Sequence, residues 1–153
     1  GKGTMIDQPN ENDGVPPEDE REEQIYFAFS ATLRVSGDID DLENISRRLA
    51  LKPTYFHRRG ERSGPRSPEH MTDMWMFRAP VDEEHPLHEH IDCLWAHLKG
   101  KEDVVADLKR SHQVDVFMGY RSNSDTAGIE VPHTSLEMFA RLAVPFGLSI
   151  IIA

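Results

Sequence analysis

The chain has 153 residues, 27 acidic and 17 basic side chains, one cysteine and 38% hydrophobic residues, for a formal net charge of −10. That length suits one domain with one core, and a domain of this size buries about two-thirds of its unfolded surface without a disulfide or metal staple. The charge excludes a broadly basic nucleic-acid binder, because like charges repel the phosphate backbone. Cys93 alone excludes an internal disulfide and any multi-cysteine cluster, and a reducing, cytoplasmic compartment is expected. No apolar run approaches the ~20 residues of a membrane helix, so no membrane partner is expected.

The charge is unevenly distributed. Residues 1–24 carry eight acids against two bases, with Pro9, Pro16 and Pro17 and few apolar side chains. This composition cannot offset its ordering entropy by burial, so 1–23 reads as a flexible acidic tail before a single domain at 24–153. Residues 47–66 reverse the sign, with seven bases (Arg47, Arg48, Lys52, Arg58, Arg59, Arg62 and Arg66) against Glu61. The acidic run at 18–23 is expected to lie across that basic segment as an internal competitor for anions.

The first element expected is a strand over 24–35, where Ile25, Phe27, Phe29, Ala31, Leu33 and Val35 alternate with Tyr26, Ala28, Ser30, Thr32 and Arg34. Residues 36–38 turn the chain, and Asp40 with Glu43 resembles a capping box before a short helix carrying Leu42, Ile45 and Leu49, finished before Pro53. Residues 53–71, with three prolines and two glycines, read as a long irregular loop. A strand follows at 74–77, then a helix with Leu87, Ile91, Leu94, Trp95 and Leu98 on one face, and a shorter one with Val104, Val105 and Leu108. Val114, Val116, Met118 and Tyr120 alternate in a further strand, which the polar loop 121–126 joins as a hairpin to a short strand at Ile129 and Val131. Thr134 and Glu137 suggest a second capping box, opening a helix with Leu136, Phe139, Ala140 and Ala143 inward. The apolar end, 148–152, reads as a strand covered on both faces.

This succession predicts an α+β fold: a mainly antiparallel sheet with helices on one face. The last six elements have the βαββαβ order of a ferredoxin-like unit, preceded by an extra strand and helix.

Particular residues also carry a resemblance. The strand at 24–35 leads into Ser36, Gly37 and Asp38. Leu51, Lys52, Pro53 and Thr54 then precede an aromatic, basic residues, and Gly60 with Glu61. Trp75 follows, then Gly119, Tyr120 and the 121–125 loop, and finally Gly128, Ile129 and Glu130. In that order the features resemble domain-of-unknown-function family 4279 over about residues 24–153. The acidic tail, the histidine-rich 85–97 stretch and Ile150 to Ile152 depart from the family pattern. The resemblance implies a bacterial cytosolic α+β protein and brings no reaction or catalytic residue with it.

The basic loop is the strongest functional candidate, because several guanidinium forks on one loop suit recognition of phosphate or carboxylate. Tyr55, His57, Arg58, Arg59 and Arg62 are the expected ligand contacts, with Tyr120 added if the 121–126 loop forms a second wall. The competing reading pairs those arginines with the protein's own carboxylates. His90, Cys93 and His97 share one helix flank at spacings from which two ligands can reach a metal, but a tetrahedral site needs further donors. Core packing explains them more simply, as it does Trp75 and Trp95. No cofactor is expected, nor a catalytic residue. The first functional reading is a non-enzymatic module that binds a protein partner or small anionic ligand through the 55–66 loop. Two alternatives are a hydrolase or transferase on an anionic substrate, metal-assisted through His90, Cys93 and His97, and a homodimer built on the 150–152 strand.

Overall fold

A computed structural model describes residues 24–153; the acidic run at 18–23, and its expected place across the basic loop, lie outside the described residues. Five strands and four α-helices follow in the order β1 (Phe27–Gly37), α1 (Leu42–Leu49), β2 (Tyr55–His57), β3 (Asp73–Arg78), α2 (Leu87–Leu98), α3 (Glu102–Ser111), β4 (Gln113–Ser122), α4 (Glu137–Leu142) and β5 (Leu148–Ile152). The strands form one sheet in the spatial order β2-β3-β1-β4-β5. All pairings are antiparallel except that of β4 with β5.

The alternation in β1 decides which face is buried. Ala31, Leu33 and Val35 are fully buried, and across the sheet Leu33 lies between Phe77 and Val116 and Val35 between Trp75 and Val114. The helices cover this face with Ile45 and Leu49 of α1, Ile91, Leu94 and Leu98 of α2, and Val105 of α3. The other face, with Ser30, Thr32, Arg34, Met76, Arg78 and Phe117, has no helix over it among the described residues. The expected α+β architecture, antiparallel for the most part and helix-covered on one side, is therefore present.

Local signals account for most boundaries. The α1 cap is one residue later than the expected Asp40: the Asp41 side chain accepts the Glu43 backbone N–H at 3.0 Å, and Ala50 closes the helix in the left-handed region. Arg48 of α1 meets Asp107 of α3 at 2.6 Å, and Lys101 donates to the Leu49 carbonyl, which ties the two helices together. Trp75 is buried with its indole N–H donating to Ser46 at 3.0 Å, and Trp95 is also buried, so both tryptophans pack in the core.

Several expectations need correction. Residues 127–132 form no strand; Ile129 and Val131 pack half-buried against the core. The reason lies in the sheet, since β4 is already hydrogen-bonded to β1 on one edge and β5 on the other, leaving no edge for a hairpin partner. The βαββαβ succession consequently falls on β1 through β4, with α2 and α3 in its second helical slot, and the surplus helix and strand follow it. Within 53–71, Tyr55–His57 forms an edge strand on β3, too short to show a period-two pattern. A 3-10 turn at His133–Leu136 precedes α4 without a side-chain cap, and the buried set is Met138, Phe139 and Leu142, with Leu136, Ala140 and Ala143 exposed. The last strand is not covered on both faces: Ile150, Ile151 and Ile152 are all more than half exposed. They pair with Tyr120, Arg121 and Ser122 at a corner of the sheet, where Phe27 is also partly exposed.

Leu94 of α2 is completely buried in the helix–sheet interface. Leu94→Ala is expected to lower unfolding free energy by about 2–5 kcal/mol through lost burial and the residual cavity. Urea unfolding of the two proteins measures the difference.

Candidate functional site

The basic loop, 58–72, connects β2 to β3 at the end of the sheet where Gly37 pairs with Asp73. Its organiser is Asp73, which was not among the sequence candidates. One carboxylate oxygen accepts the Ile39 N–H at 2.9 Å and the other the Arg59 N–H at 2.8 Å, and Arg58 Nε lies 3.9 Å away. Those two amides, with the charges of Arg58 and Arg59 behind them, hold the Asp73 carboxyl below its ordinary pKa. A single acid beside a short strand carries no sequence signal for this role, because its partners come from segments 34 and 14 residues away.

The loop is closed on itself as well. Gly60 N–H donates to the His70 carbonyl at 2.9 Å, and His70 N–H to the Glu61 carbonyl at 2.8 Å. Gly60 has φ near +90°, a conformation that a side chain would strain. The rings of His57 and His70 stack 3.5 Å apart and nearly parallel, while the Tyr55 hydroxyl is 3.3 Å from His57 Nδ1. His57 is buried; desolvation first, and then the charge on His70, push its pKa down.

The expected contacts therefore have unequal roles. Arg58 faces inward, donating to the Ile39 carbonyl at 2.7 Å and the Asp40 carbonyl at 3.4 Å, so it fastens the loop to the turn before α1. Arg59 lies 3.6 Å from Asp38, and Arg62 donates to the Ser67 carbonyl at 2.6 Å and to Glu69 at 3.3 Å, but both side chains remain at least half exposed. Arg66 is exposed and has no ion-pair partner among the described residues. The concavity beside Arg58 is also lined by Asp40, Asp41 and Glu43, whose charges repel an anion. Thus Tyr55, His57, Arg58, Arg59 and Arg62 are brought together, and the first three partly serve the loop's own structure.

Tyr120 is not with them. It is buried on the helix-covered face of β4, against Phe29 and Phe27 with ring centroids 4.9 and 6.3 Å away. The 121–126 loop is likewise no second wall: Asn123 bonds to Gln24 and Tyr26 at the start of β1, and Ser122 to the Tyr26 carbonyl. At ~3.3 Å per residue, the length of β1 separates this end from the basic loop by about 33 Å.

On α2, His90 joins the buried stripe and donates its Nε2–H to the His85 carbonyl at 3.1 Å. His97 donates Nδ1–H to the Cys93 carbonyl at 2.9 Å, leaving the thiol 3.9 Å from that nitrogen. The two imidazoles serve helix carbonyls, and burial pushes the Cys93 thiol up, away from the thiolate a nucleophile needs. Among the described residues no three His, Cys, Asp or Glu side chains are grouped to hold a metal. No helix among them is long and apolar enough to cross a membrane.

Two predictions concern the loop. Asp73→Ala leaves the Ile39 and Arg59 amides without their acceptor and is expected to speed hydrogen exchange at both, whereas Asp73→Asn, with one acceptor oxygen, protects only one of them. Because the folded pKa of His57 is depressed, its neutral form stabilises the loop fully above the unfolded value of about 6.5, and that contribution declines as pH falls toward the folded value. An NMR titration should place the His57 midpoint below 6.5, with loop amide protection falling over the same range; a midpoint at or above 6.5 contradicts the burial argument.

Comparison with curated proteins and with solved structures gives no match. A family model described as a domain of unknown function, DUF4279, matches residues 24–152, which spans the whole sheet and all four helices. The chain belongs to the DUF4279 family.

Proposed function

We propose that the protein is a non-enzymatic binding module whose 58–72 loop presents Arg59, Arg62 and Arg66 to an acidic surface on a protein partner. The observation that carries this reading is the order of the loop. Asp73, the histidine stack and the Gly60–His70 backbone pair fix its course without using up the outward guanidinium groups. The ion pairs of Arg59 and Arg62, at 3.6 and 3.3 Å on exposed side chains, are weak in water and can be exchanged for a partner's carboxylates at little cost, while the bond from Arg62 to the Ser67 carbonyl uses only one of its nitrogens. A loop fixed before binding loses less conformational entropy when it docks.

A protein surface suits this geometry better than a small anion. Arg59, Arg62 and Arg66 are exposed on the surface, and the adjoining concavity is acidic. Binding is also better supported than hydrolysis or group transfer, since the thiol and the imidazoles of α2 are engaged in packing and helix hydrogen bonds.

An oligoglutamate peptide serves as the probe. The Arg59→Ala/Arg62→Ala/Arg66→Ala variant is expected to bind it at least about tenfold more weakly, a loss of about 1.4 kcal/mol, with an unchanged melting temperature. Binding to the parent protein should weaken as salt is raised from about 0.01 to 0.15 M, since screening shortens the Debye length from about 30 to 8 Å. Equal affinity in the two proteins by calorimetry would overturn the reading.

A further inference from the structure

The uncovered face of the sheet carries a second, separate feature. Thr32 of β1 lies directly between Phe117 on β4 and Arg78 on β3, and one step along the sheet Arg34 lies between Asp115 and Met76, with Tyr55 beyond. Together with Thr54 these residues, Asp115 excepted, line a concave site of about 270 Å³. It is distinct from the outward arginines of the loop.

Three features of this site are unusual for a solvent-facing sheet. Thr32 is only 5% exposed, and its hydroxyl has no hydrogen-bond partner among the described residues. That oxygen is closed off from solvent, so Thr32 forms part of the cavity floor without offering it a donor. Arg34 is held by Asp115 through two hydrogen bonds of 2.8 Å and lies 4.7 Å from the centre of the Phe117 ring. This makes a fixed wall whose charge is already neutralised. Arg78, by contrast, lines the same cavity with no carboxylate in ion-pair range among the described residues. The backbone N–H of Arg78 donates to Thr54 Oγ1 at 2.9 Å, which fixes that hydroxyl as an acceptor and leaves its proton to donate.

We infer that this site binds a small planar monocarboxylate, such as an aromatic acid. Arg34 and Asp115 cancel, so Arg78 leaves the cavity with one net positive charge, which matches one negative charge on the ligand. The flat fork of Arg78 takes both carboxylate oxygens, and the Thr54 hydroxyl donates to a remaining lone pair. Met76, Phe117 and Tyr55 supply apolar and aromatic walls for a ring. The volume admits one ring with a carboxylate. Few polar groups converging on a mainly apolar concavity is the usual composition of a small-molecule site.

Benzoate is the probe, benzamide its neutral isostere, and inorganic phosphate the alternative anion, followed by amide shifts in NMR spectra of the full chain. Benzoate at up to ~10 mM is expected to shift the Thr32, Arg78 and Phe117 amides with saturation, and benzamide to bind at least tenfold more weakly. Arg78→Gln should abolish the response. Thr54→Val should weaken benzoate about tenfold, whereas Thr32→Val should leave it unchanged, because the Thr32 hydroxyl is closed off from the cavity. The Arg59→Ala/Arg62→Ala/Arg66→Ala variant should bind benzoate as the parent does, so the two sites stand or fall separately. No shift at those amides, equal binding of benzamide, or phosphate bound there as tightly as benzoate would overturn the inference.

Discussion

β1 is the constraint on which the other elements depend. It is the middle strand of the sheet, paired with β3 on one edge and β4 on the other, and it sends Ala31, Leu33 and Val35 into the core from one face. Because β-strand side chains alternate, the same strand must send Ser30, Thr32 and Arg34 the opposite way. The three larger helices all pack on the first face. The second face is left without a helix among the described residues, and Thr32 and Arg78 lie on it.

The end of the sheet at Gly37 is organised differently, by one carboxylate. Asp73 ends the β1–β3 ladder and uses its oxygens to hold the turn before α1 and the start of the basic loop together. Arg58 reinforces the same junction from the other side by donating to the Ile39 and Asp40 carbonyls. Much of the positive charge gathered at 47–66 is thereby spent within the protein: Arg47 on Asp41, Arg48 on Asp107, and Arg58 on the loop's own framework. What remains exposed is the outward part of the loop, which the framework beneath it holds in place.

Much of this organisation is legible in the amino-acid sequence where the signal is periodic and local. The alternation in β1 and β4 and the three- and four-residue spacing of Ile91, Leu94, Trp95 and Leu98 read directly as buried faces. The candidate site was only partly legible. Tyr55, His57, Arg58, Arg59 and Arg62 could be grouped because they are neighbours in the chain. Thr32, Arg34, Arg78 and Phe117 could not, since they come from three strands and look individually like the solvent side of an alternating pattern. Tyr120 shows the converse, because its place in an alternating strand marked it equally well as a core residue, and the core is where it lies.

The sequence by itself determined the class of the fold, the buried faces of β1, β4 and α2 and the position of the basic segment, since these follow from hydrophobic period and composition along a single stretch of chain. The tertiary structure decided which strands are neighbours, and three consequences follow from that. With both edges of β4 occupied, Ile129 and Val131 became packing residues outside any strand, and β5 became an exposed edge. Asp73, remote in sequence from Ile39, became the anchor of the basic loop. Thr32, Arg78 and Phe117 became one row across the sheet. Strand order and register depend on the sum of many weak pairings between distant segments, and no local pattern in the chain encodes that sum.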